Sequence, residues 1–218
     1  MSDTAQLPQE RIEEEKRAAA ELAAGLVEDG MTVGLGTGST VAYLLPALAE
    51  RGLEGLRCVA TSPQTEARAR ELGLPVEPFD SLDRLDIAID GADQIDSAGW
   101  VVKGGGGAHT REKIVAAAAD RFVVIASSDK DVERIHPPIP LELLSYGVRA
   151  TLRALAPARL RDVPSSPDGC VIADYLGPVD DPSELAARLA GTPGLIEHGL
   201  FPPSLVTEVI VDSRRRVI

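Results

Sequence analysis

The residues best placed to do chemistry in this chain sit in three glycine-bearing segments. The densest is Lys103-Gly104-Gly105-Gly106-Gly107-Ala108-His109-Thr110-Arg111-Glu112-Lys113. Successive glycines are costly to order, so a chain keeps them where its backbone must approach something closely. A flexible linker is the rival explanation, and it fits poorly because a strand and a helix flank the run directly. Thr110 reads as the N-cap of that helix, which places Glu112 in its first turn. The helix dipole and Lys103 would keep this carboxylate ionised, while partial burial under a substrate would raise its basicity. The expectation is a base already deprotonated at neutral pH. The plainer alternative is that Glu112 only complements the helix dipole.

The segment Gly34-Leu35-Gly36-Thr37-Gly38-Ser39-Thr40 offers backbone N–H groups, three hydroxyls and a helix start, which are the parts of a phosphate cradle. A tight turn without a ligand remains the alternative. Ser39 stands where a dinucleotide-binding GxGxxG would need its third glycine, and Gly-Lys-Ser/Thr of a P-loop is missing. The third segment, Asp90-Gly91-Ala92-Asp93-Gln94-Ile95-Asp96, spaces carboxylates three apart. Such a pair could grip sugar hydroxyls, act as acid and base, or bind a divalent ion. Without an EF-hand spacing or an accompanying histidine, sugar contact is preferred to metal, and Asp96 reads as part of a solvated turn. His109, His136 and His198 are scattered and read as structural or surface residues.

Phosphate anchor, hydroxyl-binding aspartates, a lysine for developing oxyanion charge and a glutamate beside a carbonyl suit one reaction. That reaction is aldose-ketose isomerisation through an enediolate. It calls for no metal and no cofactor.

The rest of the chain must position these groups. At 218 residues and 44% hydrophobic content it can bury one sizeable core plus a small satellite. A net charge of -12 opposes broad binding to nucleic acid or an anionic membrane, so an anionic substrate needs a local positive pocket. Cys58 and Cys170 belong to no metal-binding spacing and fit a reducing cytosol. The start of the chain shows no leader pattern, and no apolar run is long enough to span a bilayer. Of the 22 basic residues only Lys16, Lys103, Lys113 and Lys130 are lysines, which singles them out.

Strand and helix patterns alternate from Glu10 to Ala126, predicting a mostly parallel sheet covered by helices. Predicted helices are 10–27, 41–51, 63–73 and 110–119, and predicted strands 31–35, 57–60, 85–89, 100–102 and 122–126. Pro46 should kink or shorten the second helix, and Ser62-Pro63 should start the third. All three segments should then leave the carboxyl edge of one sheet, where open α/β sheets bind ligands. Beyond Pro137, Pro138 and Pro140 the order changes to strand 139–144, helix 146–155, strands 159–163 and 170–175, helix 182–190 and strand 195–200. That is the split β-α-β-β-α-β unit. A last strand, 205–211, should return to the first sheet.

GLGTGST at 34–40, DGADQID at 90–96, KGGGGAHTREK at 103–113 and SSDK at 127–130 together resemble the A-type ribose-5-phosphate isomerases. Further resemblance in ATSPQTEARARELG and PGLIEHGLF extends the likeness over nearly the whole chain. It implies a Rossmann-like, mostly parallel α/β domain (1–131 and 203–218) with an inserted ferredoxin-like α+β domain (132–202). It also implies interconversion of D-ribose 5-phosphate and D-ribulose 5-phosphate in the non-oxidative pentose phosphate pathway, without cofactor or metal. Glu112 matches the family's proton-transferring base, Asp90 is expected to help open the furanose ring, and Lys103 to steady the enediolate. Thr37, Gly38, Ser39, Thr40, Asp90, Gly91, Ala92, Asp93, Lys103, Gly104, Gly105, Gly106 and Lys130 match its substrate-binding positions, with Lys16 a weaker candidate for the phosphate. A cytoplasmic homodimer or homotetramer binding a small sugar phosphate, with no nucleic-acid or membrane partner, is the expected form. Gln94, for the usual acid, and His109, for a usual apolar residue, depart from the pattern. Amino-sugar phosphate deaminases and acyl-CoA transferases share the fold, but Lys103 with its glycine run and Glu112 nine residues on favour the isomerase. A sugar-phosphate sensor fused to a DNA-binding unit is disfavoured, because only one helix precedes the first strand.

Overall fold

The computed structural model describes residues 8–218; the first seven, within the stretch searched for a leader and within the expected first domain, lie outside it. Helix α1 (Gln9–Ala24) leads into β1 (Thr32–Leu35), α2 (Val41–Glu50), β2 (Arg57–Ala60) and α3 (Pro63–Glu71). Next come β3 (Leu85–Gly91), β4 (Gln94–Ile95), β5 (Val101–Val102), α4 (His109–Ala118) and β6 (Ala119–Ala126). A second series follows, β7 (Ile139–Leu143), α5 (Val148–Ala154), β8 (Ala158–Leu160), β9 (Val171–Tyr175), α6 (Pro182–Ala190) and β10 (Leu195–His198). The chain closes with β11 (Leu200–Phe201), β12 (Glu208–Val211) and β13 (Arg214–Val217).

The largest sheet runs β13-β12-β6-β3-β1-β2, parallel throughout except for the antiparallel edge strand β13. Its central strands are apolar on both faces, as a doubly covered parallel sheet requires. Ile87, Ile89, Val123 and Ile125 enter one core with the Ala19-Ala20-Ala23 stripe of α1 and Leu44 and Leu48 of α2. Ala88, Phe122 and Val124 alternate into the other, with Val115 and Ala116 of α4. From β1 the chain moves outward to β2 and then returns to the opposite side of β1 as β3. Direction therefore reverses between β1 and β3, and a crevice opens beyond their carboxyl ends. Leu35 is in register with Ile89, so the segments after Gly36 and Asp90 emerge side by side.

The second series forms an antiparallel sheet, β10-β7-β9-β8, which is the strand order of the ferredoxin-like unit. A third sheet, β11-β5-β4, is short and antiparallel. It corrects two expectations. The Lys103 segment leaves this side sheet rather than the parallel one. The predicted strand 195–200 is two strands in two sheets, because Gly199 turns the chain: its N–H donates to Pro140 O while its carbonyl accepts from Lys103 N. A Cβ at Gly199 would overlap the Lys103 carbonyl, so the crossing needs glycine.

Other differences are local. Helix α2 continues through Pro46, with Leu44, Leu45 and Leu48 packed into the core on both sides of it. Helix α5 starts after Gly147 rather than at Tyr146, since Gly147 takes a left-handed conformation (φ 70°). Strand β13 carries exposed Arg214, Arg215 and Arg216, so it has no buried face to announce it; charge along an edge strand also discourages further pairing. Ser62 caps α3 by accepting from Thr65 N, with Pro63 at the first helical position, as expected. Among the described residues no helix is long and apolar enough to cross a membrane.

Candidate active site

Between β1 and α2 the chain turns tightly over Asp90. A Cβ at Gly36 would overlap the Asp90 carboxylate, so glycine there lets the two strand ends meet. Thr37 N donates to Asp90 Oδ1 at 3.0 Å, and Thr65 Oγ1 donates to Gly36 O at 2.8 Å. The Thr37 hydroxyl lies 2.8 Å from Thr61 Oγ1. Gly38 has φ 129°, a conformation that L side chains avoid, and it turns the backbone into the first turn of α2. Among the described residues the amides of Gly38, Ser39 and Thr40 find no acceptor, which leaves three donors at a helix start, where an anion is favoured. Thr61 and Thr65, at the end of β2 and in α3, hold this turn from below; the sequence reading missed them, although they too follow a strand's carboxyl end.

The opposite wall comes from the Lys103 segment and α4. Lys103 Nζ lies 3.0 Å from Asp90 Oδ2 and 3.4 Å from Glu112 Oε2, and it donates to Gly91 O at 2.6 Å. All three side chains are at most 5% exposed. Glu112 Oε2 has no hydrogen-bond partner, so its contact with Lys103 is an ion-pair distance without hydrogen-bond alignment. Helix α4 begins at His109 with Ala108 as its cap; Thr110 is inside the helix, and its hydroxyl donates to Glu142 of β7 instead. Glu112 nevertheless sits in the first turn, as expected.

One cation between two buried carboxylates cannot neutralise both. Asp90 accepts from the Thr37 and Gly91 amides and from Lys103, whereas Glu112 has a single long contact. Burial raises both acids, Asp90 against the pull of Lys103 and the two amides. For Glu112, burial and then the neighbouring Asp90 charge outweigh Lys103 and push it to about 8. Burial beside the Asp90 charge thus works against the ionisation that the helix start and Lys103 favour, and it raises the basicity of Glu112. Lys103 is raised, because its two carboxylate neighbours overcome the effect of burial.

These walls enclose a cavity of about 250 Å³ lined by Thr37, Gly38, Ser39, Thr40, Gly91, Ala92, Asp93, Lys103, Gly104, Gly105, Gly106, Glu112 and Lys130. Every residue selected from the sequence for substrate or catalysis lines it, except Lys16 and Asp90, the latter reaching the site through its contact with Lys103. Asp93 fixes the glycine run by accepting from Gly105 N at 2.7 Å. Lys130 arrives on the Ser128–Lys130 turn, which α1 secures: Glu15 accepts from Ser128 N and Oγ at 2.7 and 2.6 Å. Lys16 pairs with Glu13 at 2.9 Å and does not line the cavity. Lys113 ties α4 to Glu197 and to His198 O at 2.7 and 2.6 Å.

Gln94 brackets the backbone of His136. Asp96 is not solvated; it is buried and accepts from the Ala98 and Trp100 amides, stapling the β4–β5 turn. His109 is buried and pushed down to about 4 by that burial, so it is neutral, with Nε2 3.3 Å from Glu197 O. His198 is likewise pushed down to about 4 by burial.

The arrangement sets amides without acceptors at a helix start and the buried Lys103–Glu112 pair around one small cavity. Comparison with known proteins points the same way. The family profile of ribose 5-phosphate isomerase A (phosphoriboisomerase A) matches residues 57–216. Ribose-5-phosphate isomerase A of Nitrobacter hamburgensis is 44% identical over 205 residues, covering 85% of this chain and 88% of that protein. The solved ribose 5-phosphate isomerase A of Methanocaldococcus jannaschii superposes with a TM-score of 0.88 at 33% identity, covering 94% of this chain and 99% of that one. A solved D-ribose-5-phosphate isomerase in complex with phospho-erythronic acid gives 0.89 at 34% identity, covering 95% and 99%. With its sheets, its cavity and these relatives in agreement, the chain belongs to the ribose-5-phosphate isomerase A family.

Proposed function

We propose that the chain interconverts D-ribose 5-phosphate and D-ribulose 5-phosphate by proton transfer through an enediolate. The observation that carries this is Lys103 held between Asp90 and Glu112 at one end of a cavity whose other end is the Thr37–Thr40 turn with Lys130. The phosphate sits on the free amides and hydroxyls of that turn, with Lys130 as counter-charge. Asp93 and the glycine run hold the sugar hydroxyls and carbonyl.

Starting from the aldose, Glu112, once ionised, removes the proton at C2. The electrons move into the C1 carbonyl, and the Lys103 ammonium stabilises the O1 oxyanion that forms. Glu112 then returns its proton to C1 while the O2 hydroxyl proton passes to the neighbouring O1, leaving O2 as the ketone oxygen and O1 as the new hydroxyl, so one carboxylate serves both carbon-proton transfers. A base near pH 8 removes a carbon-bound proton better than an ordinary carboxylate, at the cost of being mostly protonated at pH 7. Asp90 keeps Lys103 charged and aimed. A direct part for Asp90 in opening the furanose ring requires Lys103 to swing aside, because the ammonium covers its Oδ2. The proton inventory balances without a hydride carrier, and Lys103 supplies the positive charge a metal would.

The same reading places the enzyme in the cytoplasm and in the non-oxidative pentose phosphate pathway, as a homodimer or homotetramer without nucleic-acid or membrane partners. Its net charge of -12 supports the last point. It also divides the chain into residues 1–131 with 203–218 and an insertion at 132–202. Confinement of all four β10-β7-β9-β8 strands to that insertion supports the division.

The test is to incubate the protein with ribose 5-phosphate, with and without a chelator, and follow ribulose 5-phosphate. Equal product formation in both is expected. No product in either would remove the isomerase reading, and loss with chelator alone would put a metal in the mechanism.

A further inference from the structure

The glycine run must hold its carbonyls and amides at fixed angles around the substrate, yet Gly104, Gly105 and Gly106 have no side chains with which to anchor themselves. Gly104 has φ 112°, and glycine backbone of this kind has many alternatives. The anchor comes from the other sheet. Arg161, just beyond the end of β8, donates through Nη1 to Gly104 O at 2.8 Å and to Gly105 O at 3.2 Å. Its remaining edge grips Asp174 of β9 in a fork, Nε to Oδ2 at 2.8 Å and Nη2 to Oδ1 at 2.6 Å. Both side chains are less than a fifth exposed, which strengthens such charge-assisted bonds.

The consequence for the loop follows from peptide planarity. In a trans peptide C=O and N–H point in opposite directions. The Gly104–Gly105 peptide is held on both sides, its carbonyl by Arg161 and its N–H by Asp93 Oδ2. For the next peptide, Arg161 holds the Gly105 carbonyl, so the Gly106 N–H points away from Arg161, and Gly106 lines the candidate substrate cavity, which Arg161 does not reach. Arg161 itself does not line that cavity; it borders a separate one of about 420 Å³ on the far side of the loop.

We infer that Arg161, braced by Asp174, is a positioning residue for the reaction: it sets the peptide planes of the glycine run that carry the Lys103 end of the site. It touches no substrate and acts through the backbone. A guanidinium suits the task because one planar fork can serve a carboxylate and two carbonyls at once, which a lysine cannot do.

The kinetic part of this inference rests on the isomerase reading, so the test pairs it with a measurement that does not. Arg161→Met, Arg161→Lys and Asp174→Asn are compared with wild type for kcat and KM on ribose 5-phosphate, inhibition by inorganic phosphate, Tm, and amide hydrogen exchange over residues 103–109. Arg161→Met should lower kcat at least about tenfold, because small misplacements of reacting groups are costly. Its inhibition constant for phosphate should stay within about twofold, since the Thr37–Thr40 turn is held independently. Exchange should accelerate over 103–109 and not over 36–42. Arg161→Lys should recover part of kcat, and Asp174→Asn should fall between it and wild type.

Unchanged loop exchange with kcat within about twofold in Arg161→Met would overturn the inference. So would a parallel loss of kcat, phosphate inhibition and Tm, which marks a general structural role. If wild type fails to convert ribose 5-phosphate, the isomerase reading falls, and the loop exchange still decides whether Arg161 holds the run.

Discussion

The two ends of the cavity are built by different means. The Thr37–Thr40 turn is a local construction: it bridges a strand and the next helix, and its main supports, Asp90, Thr61 and Thr65, sit on the adjacent parallel strands or just beyond them. The Lys103–Glu112 end is held from a distance. Thr110 reaches Glu142, Arg111 reaches Asp168 at 2.7 Å, Lys113 reaches Glu197, and Arg161 reaches back to the glycine run. Every one of those partners belongs to the antiparallel sheet or its connections. The proposed anion cradle is therefore a property of the parallel sheet, while the proposed chemical end depends on two sheets staying in register. Binding and turnover should be separable by mutation.

Glu112→Gln should give the largest effect. We expect kcat to fall at least about a hundredfold with KM nearly unchanged, because the base is lost and the cradle is not. The same variant probes stability. Burial pushes the folded Glu112 carboxyl up to about 8, above its ordinary 4.5, so its favourable contribution is full below 4.5 and is lost as pH rises through 8. The Tm of Glu112→Gln relative to wild type should accordingly increase between those pH values; a constant difference would contradict the assigned burial.

Gly36→Ala comes next. The new methyl would collide with the Asp90 carboxylate, displacing both the turn and the Lys103 anchor, so it should damage KM and kcat together. A variant affecting only one would break the view that the two ends meet at Asp90. Lys130→Ala should raise KM about tenfold with a smaller change in kcat, as expected for a half-buried counter-charge to phosphate. The smallest effect should come from Thr110→Val, which removes the Glu142 tie. We expect a fewfold loss of kcat, with inhibition by inorganic phosphate retained. If phosphate inhibition weakened equally, the separation of the two ends would be wrong.

The legibility of the sequence follows the same division. Gly36 to Thr40, Asp90 and Asp93 could be read because close approach and capping leave signatures within a few residues. Ser62-Pro63 announced α3 for the same reason. The fate of 195–200 was hidden because an unbroken apolar pattern says nothing about a change of sheet at Gly199. Strand β13 escaped because an arginine-rich edge carries no burial pattern. Thr110 was misassigned as a cap because its hydroxyl serves a carboxylate on β7, a partner 32 residues away. Arg161 could not be found at all, since its acceptors are backbone carbonyls more than fifty residues earlier. For Glu112 the helix dipole and Lys103 are visible in sequence order, whereas full burial beside Asp90, which pushes its pKa up, appears only in three dimensions.

The most direct test of the central claim, that Glu112 moves a proton between adjacent carbons from a raised pKa, is the pH dependence of kcat/KM for ribose 5-phosphate in wild type. The account predicts a rise of about tenfold per pH unit below pH 8 and a plateau above it, since only ionised Glu112 in the free enzyme is competent. A profile already flat from pH 5 upward would contradict it.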